Sequence, residues 1–363
     1  MQISKILIGI SAAILLSMST ILSGAVYAQN ATTTINGAGA TFPFPLIDTW
    51  RVDYQKVQPG VNINYQSIGS GGGVKQFTEK TVDFGATDAP LTQNESQKAA
   101  GAVHIPETIG SVVSAYNIPS VPDKGLKLSG EVLAEIFLGT ITKWNDPKIQ
   151  SLNTDKTLPG DDIVVVHRSD GSGTTFVWTD YLSNVSTAWK DQLGKGKSVE
   201  WPVGIGAPGN EGVANAIKGT PNTIGYIELS YALTTNTPFA FIENKEGNFV
   251  EATLNSTKAA VQSYVTSLPK GDGVWTDVSL VNAPGADSYP IASFSYLLLN
   301  KELDTNPNLD QAKAKALVDF ISWAITDGQK QAESLDYVPL PDGVVKLNQD
   351  TLKSLTFNGQ PIA

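Results

Sequence analysis

Cysteine is absent from the 363 residues. That excludes disulfides, thiolate nucleophiles, cysteine zinc sites and a lipidated N-terminal cysteine together. Histidine is nearly as scarce: with only His104 and His167, no H-E-x-x-H metal helix is possible. Arginine also occurs just twice, as Arg51 and Arg168. Charged side chains make up 17% of the chain, and acidic groups outnumber basic ones 35 to 25, for a formal charge of −10. No lysine run is interleaved with aromatics, so the electrostatic footprint of a nucleic-acid binder is missing. Beyond the N-terminal segment, no stretch is long and apolar enough to read as a membrane span.

What is present is a globular composition with a surface of hydroxyls, amides and glycine in place of ions. The length allows one large domain or two of ordinary size. Residues 1–28 read as an export signal: Lys5 is the only charge, Ile6 to Leu22 is apolar with small residues, and Val26-Tyr27-Ala28 suits cleavage. The alternative is that this segment is retained as an anchor.

The remainder alternates strand-like and helix-like segments. Val61, Ile63 and Tyr65 alternate with Asn62, Asn64 and Gln66, the pattern of a half-buried strand. Val82–Gly85, Ser111–Tyr116, Ile163–His167, Ile224–Ile227 and Ser293–Asn300 also read as strands. Ser129 caps a helix with Val132, Leu133, Ile136 and Phe137 on one face, and Thr92 with Glu95 makes a capping box. Residues 309–325 put Leu317, Phe320, Ile321 and Ala324 on one stripe, with Gly328 as the stop. Strands alternating with helices predict α/β layers built on parallel sheets.

One local design recurs three times: glycine with Ser or Thr just before a helix. The segments are Gly37–Pro43, Gly69–Gly73 (with a helix beginning near Val74) and Asp170–Thr174. A helix N-terminus leaves backbone N–H groups unpaired and carries partial positive charge; glycine lets a ligand approach that backbone. Each segment is therefore an anion-binding candidate as well as an ordinary cap. None continues as a P-loop, a dinucleotide fingerprint or a nucleophile elbow. Arg168 beside the third segment suits bidentate clamping of an oxyanion, and Asp170 is near enough to pair with it. Asp88 follows a strand, and as an acid in an anion site it fits only a ligand that brings a proton. His104 reads as a structural histidine and His167 as a lining residue.

The residues Gly37–Pro45, Ile68–Gln76 (IGSGGGVKQ), Asp83–Leu91 (DFGATDAPL) and Arg168–Phe176 (RSDGSGTTF) carry a resemblance. So do Lys143-Trp144-Asn145-Asp146, Trp201–Gly204, Ile224–Glu228 and Leu335–Tyr337. Together they resemble the phosphate-binding proteins of ATP-binding-cassette importers, over essentially the whole chain after the signal. The resemblance implies a type II periplasmic-binding-protein fold: two α/β lobes, residues 29–114 with 291–363 and residues 115–290, with a ligand cleft between them. It implies phosphate contacts from Thr41, Phe42, Ser70, Asp88, Arg168, Ser172, Gly173 and Thr174. Gly71 departs from the pattern, standing where a second serine is common. His167 departs too, where a basic residue often precedes the arginine.

The expected function is extracytoplasmic capture of inorganic phosphate and delivery to permease subunits of the importer. Trp144, Trp189 and Trp201 leave two readings open, core packing as the default and contact with a transporter as the alternative. No enzymatic step, cofactor or metal is expected, and the family expectation is a monomer that is periplasmic or held at the outer face of the cytoplasmic membrane. The alternatives are a receptor for another tetrahedral oxyanion and an exported phosphatase. The second would need metal ligands or an activated nucleophile that the composition does not offer.

Overall fold

In the computed structural model, which describes residues 32–362 except 263, 265 and 266, the first elements follow from their residue patterns. The expected export signal, residues 1–28, lies outside the described residues. Strand β1 (Thr33–Gly39) leads into helix α1 (Phe44–Val57), which buries Leu46, Ile47, Trp50 and Tyr54 on one stripe and enters through Pro43 and Pro45. Strand β2 (Val61–Ser67), helix α2 (Ser70–Thr78) and strand β3 (Phe84–Thr87) complete the set, with β1 parallel to both β2 and β3.

Helix α2 begins at Ser70, four residues earlier than the apolar pattern indicates, so Gly71, Gly72 and Gly73 form its first turn. Glycine is a poor helix former by about 1 kcal/mol per residue, which hides the start from a propensity reading. Helix α3 (Gln93–Lys98) has the expected capping box from Thr92 and Glu95. Strand β4 (Ala102–Asn117) then runs 16 residues, buried throughout its interior.

The middle of the chain contains β5 (Lys127–Leu128), α4 (Gly130–Phe137), α5 (Pro147–Leu152), β6 (Val164–Arg168), α6 (Gly173–Val185) and α7 (Thr187–Gln192). It continues with β7 (Ile205–Ala207), α8 (Gly209–Gly219), β8 (Thr223–Glu228), α9 (Leu229–Thr235), β9 (Phe241–Glu243), β10 (Phe249–Val250) and α10 (Leu254–Gln262). Strand β11 (Ala292–Asn300), α11 (Gln311–Ala324), α12 (Asp342–Lys353), β12 (Thr356–Phe357) and β13 (Gln360–Pro361) close it. The Ser129 cap of α4 and the Leu317–Phe320–Ile321–Ala324 stripe of α11 are as the pattern indicates; α11 ends at Ala324, before Gly328.

The main sheet has the order β2-β1-β3-β11-β4-β8-β6-β7. Its outer strands are parallel, as expected, because βαβ units build them. Its centre is not: β11 runs antiparallel to β3 and β4, and β4 antiparallel to β8. A chain that leaves one set of strands along β4 and returns along β11 must traverse the middle in opposite directions. The fold is therefore mixed α/β. Strand β4 serves both sets, pairing β11 through Ala102–Ser111 and β8 through Val112–Asn117.

The aromatic core holds Trp144 and Trp189 fully buried, which decides for the core reading of these two. Half-buried Trp201 stacks on His167 at 4.9 Å between ring centroids, and Trp178 stacks on Tyr226 at 5.2 Å. Removing such a ring from a packed core costs about 3–5 kcal/mol, so this cluster fixes the position of β6 and of the site at its end. Among the described residues, no helix is long and apolar enough to cross a membrane.

Candidate functional site

The three glycine–hydroxyl segments converge on the C-terminal ends of β1, β3 and β6, where open α/β sheets place ligands. Thr41 and Phe42 follow β1, Ser70 opens α2, Asp88 follows β3, and Ser172, Gly173 and Thr174 open α6 beyond Arg168. The side chains of Thr41, Ser70, Asp88, Arg168, Ser172 and Thr174 are all buried. Ser172 caps α6 by accepting from the Thr175 N–H at 3.0 Å. The next amides, of Gly173 and Thr174, belong to the first turn and have no preceding turn to pair with.

These groups lie in mutual contact. The Asp88 N–H donates to Ser70 Oγ at 3.2 Å, and Ser295 Oγ donates to Asp88 Oδ1 at 2.8 Å. Gly173 lies so near that a Cβ there would fall 2.4 Å from both Asp88 Oδ2 and Ser70 Oγ. Only glycine fits at that position. Gly71 donates its N–H to the Gly171 carbonyl at 2.7 Å, and a Cβ on Gly71 would sit 3.0 Å from Gly171 Cα. That contact gives the Gly71 departure a physical reason: a serine side chain would crowd the opposing backbone.

The cationic component is neutralised within the protein. Arg168 donates through Nε to Asp170 Oδ1 at 2.7 Å and through a second nitrogen to Asp170 Oδ2. The third nitrogen lies 3.4 Å from Thr174 Oγ1. Burial works against the Asp170 charge, but the Arg168 guanidinium holds its carboxyl below the ordinary carboxylate range. The pair leaves no net positive charge, so an anion here is held by N–H and O–H dipoles. Asp88 goes the other way. Burial pushes it up to about 7, against the Ser295 bond, the Arg168 charge and the Ser70 bond, which each pull it down.

Several residues that pattern reading passes over complete the site. Asn210, fully buried in the first turn of α8, donates through Nδ2 to Thr41 Oγ1 at 2.8 Å and to Thr174 Oγ1 at 3.1 Å, and its own N–H reaches Thr41 Oγ1 at 3.2 Å. Two donors on the Thr41 oxygen occupy both its lone pairs, so its proton points elsewhere. Asn210 thus makes the Thr41 hydroxyl an outward donor. The only local signal for it is Pro208-Gly209 at the start of a helix, without the Ser or Thr that marks the other three segments. Ser295, in an apolar strand, gave no signal.

His104 accepts the Leu91 N–H at 3.1 Å, and burial lowers its pKa to about 4, which suits a structural neutral ring. His167 bonds the Arg168 carbonyl and lines a surface cavity of about 280 Å³ with Ser169, Lys197 and Trp201 beside the arginine. Lys197 pairs with Glu95, joining the segment before β7 to helix α3. Among the described residues, no group of three or more potential metal ligands is present.

Residues 25–327 match the PBP superfamily domain. The phosphate-binding protein PstS of Pasteurella multocida is 46% identical over 321 residues, covering 88% of this chain and 90% of that protein. The PstS protein of Methanocaldococcus jannaschii is 41% identical over 335 residues, covering 88% and 86%. Among solved structures, the phosphate binding protein of Stenotrophomonas maltophilia superposes with a TM-score of 0.63 at 19% identity, covering 86% of this chain and 92% of that one. A high affinity periplasmic phosphate-binding protein solved with phosphate gives 0.64 at 19% identity, covering 91% and 100%. The last two likenesses establish the fold.

Proposed function

The chain belongs to the PstS family of phosphate-binding proteins, and from that premise we propose how its buried site takes phosphate and what the captured anion is for. The chain is the substrate-binding component of a phosphate importer, a receptor and not an enzyme. The observation that carries the site assignment is the convergence of α2, α6 and the segment after β1 on one buried, charge-compensated cluster around Asp88.

In this reading the amides of Thr41, Phe42, Gly173 and Thr174 and the hydroxyls of Thr41, Ser70, Ser172 and Thr174 donate to phosphate oxygens. Arg168, locked by Asp170, adds one directed donor. Asp88 accepts from the P–OH. Phosphate near neutral pH keeps at least one proton and sulfate none, so sulfate would set a bare oxygen against a carboxylate. A site built around such a hydrogen bond rejects an analogue lacking it by about 10⁴–10⁵. The same logic disfavours another tetrahedral oxyanion without a proton. Residues 29–114 with 291–363 act as one lobe and 115–290 as the other, closing over the anion about β4 and β11. The expected location is outside the cytoplasmic membrane, and the expected partners are the permease subunits, met by the chain as a monomer.

The test is calorimetric titration of protein freed of ligand by unfolding and refolding, with phosphate injected in the presence and absence of excess sulfate. One-to-one phosphate binding indifferent to sulfate is expected, with Asp88→Asn losing the discrimination. Absence of phosphate heat from folded protein would overturn the assignment.

A further inference from the structure

The β4–β11 ladder contains an irregularity directly behind the site. Ser295 pairs with Thr108 and Tyr296 with Pro106, so Glu107 is an extra, unmatched residue in β4. Such a bulge re-aims a side chain, and here it brings a carboxyl into the core. Glu107 is fully buried, with Oε1 3.0 Å from Ser295 Oγ and Oε2 without a partner among the described residues. Its carbonyl is held by Gln329 Nε2 at 3.0 Å. The same Ser295 Oγ lies 2.8 Å from Asp88 Oδ1.

A serine hydroxyl has one proton to donate. It cannot serve Asp88 and Glu107 together, so if both acids were ionised one contact would set bare oxygens against each other in a buried site. One carboxyl must therefore hold a proton and donate it to Ser295 Oγ. Asp88 has Ser70, Ser295 and the Arg168 charge to stabilise its anion, whereas Glu107 has Ser295 alone. The titratable and charged groups facing Glu107 are Asp88 after β3, Tyr65 on β2 and, beyond Asp88, Arg168 at the end of β6; β11 presents Ser295 and, toward Asp88, Tyr296.

We propose that Glu107 is a positioning residue that keeps its proton at neutral pH, donates it to Ser295, and so obliges Ser295 to donate to Asp88 Oδ1, leaving Asp88 an ionised acceptor for the P–OH of the ligand. No bond is broken: the proton stays on Glu107 and the relay fixes the direction of two hydrogen bonds. Burial pushes Glu107 up to about 8, with the Asp88 charge adding to it, in keeping with the acid staying neutral at pH 7. Above that value a second negative charge appears behind the site and repels the phosphate dianion. The phosphate part of this inference rests on the function proposed above; the protonation of Glu107 does not.

The experiment has two arms on the full mature chain. Infrared spectra of wild type minus variant, both ligand-free at pH 7, are expected to show one protonated-carboxyl stretch lost in Glu107→Gln, with that of the other buried acid, Glu228, cancelling, and no such loss in Asp88→Asn. Phosphate titrations are expected to give Glu107→Gln an affinity within about threefold of wild type at pH 7, since the amide also donates to Ser295, with Glu107→Leu weaker by about tenfold. At about pH 9 wild type should weaken relative to Glu107→Gln by about tenfold or more. A wild-type minus Glu107→Gln spectrum with no carboxyl stretch, or parallel pH profiles for that variant and wild type, would overturn the proposal. Lack of phosphate binding by wild type would overturn the functional reading, while the infrared arm still decides where the proton sits.

Discussion

Gly173 is a position where the site tolerates little change. Its missing Cβ is the space that lets the α6 amides stand against Ser70 and Asp88. Gly173→Ala is expected to lower the melting temperature, because overpacking costs about 1–3 kcal/mol, more than the helix preference of alanine returns. Phosphate titration of the variant should show weaker binding, because Ser70 and Asp88 must shift to admit the methyl group. Unaltered affinity would mean that this approach is not needed for binding. At this scale the sequence was readable wherever the chemistry was local. Arg168 and Asp170 lie two residues apart, and their ion pair follows from that spacing. Asn210, Ser295 and Glu107 were not readable as a group, since what matters is which oxygen each one meets across elements far apart in the chain.

Helix α2 shows how an element carries function at its own expense. Its first turn spends three consecutive glycines, a sequence that argues against a helix, and Gly71 meets the Gly171 carbonyl there. Gly71→Val should stabilise α2 as a helix while blocking that approach. The expected outcome is a protein that binds phosphate more weakly and, on the lobe closure proposed above, fails to contract in small-angle scattering when phosphate is added. Contraction equal to wild type would remove the Gly71–Gly171 contact from the closing motion. Elements with apolar periodicity were legible: α1, α4 and α11 bury the stripes their spacing indicates. The direction of β4 and β11 was not, because a buried strand reads the same forwards and backwards, and only connectivity decides its sense.

For the molecule as a whole, the buried acids set the response to pH. Burial raises Asp88 to about 7, Glu107 to about 8 and Glu228 to about 8. In the folded chain Glu107 and Glu228 therefore hold protons that the unfolded chain releases above the ordinary carboxylate range, and this stability is lost as pH rises through their raised values. Asp170, Glu95 and Asp272 are held below their ordinary values, each by its cationic partner and, for Asp170 and Glu95, against burial; their contribution is lost on acidification instead. Ligand-free protein is expected to melt highest in mildly acidic solution and progressively lower toward pH 8, measured by calorimetry in low-salt buffers. A flat or rising profile would show that these acids are ionised in the native state. The place of β11 between β3 and β4 bears on how the chain is made. While the ribosome is still adding the long stretch from Asn117 to Ala292, the first strands have only part of their sheet, with the facing edges of β3 and β4 unfilled. The N-terminal set of strands therefore cannot close its sheet until β11 has been synthesised, whereas β6, β7 and β8 have all their partners by then.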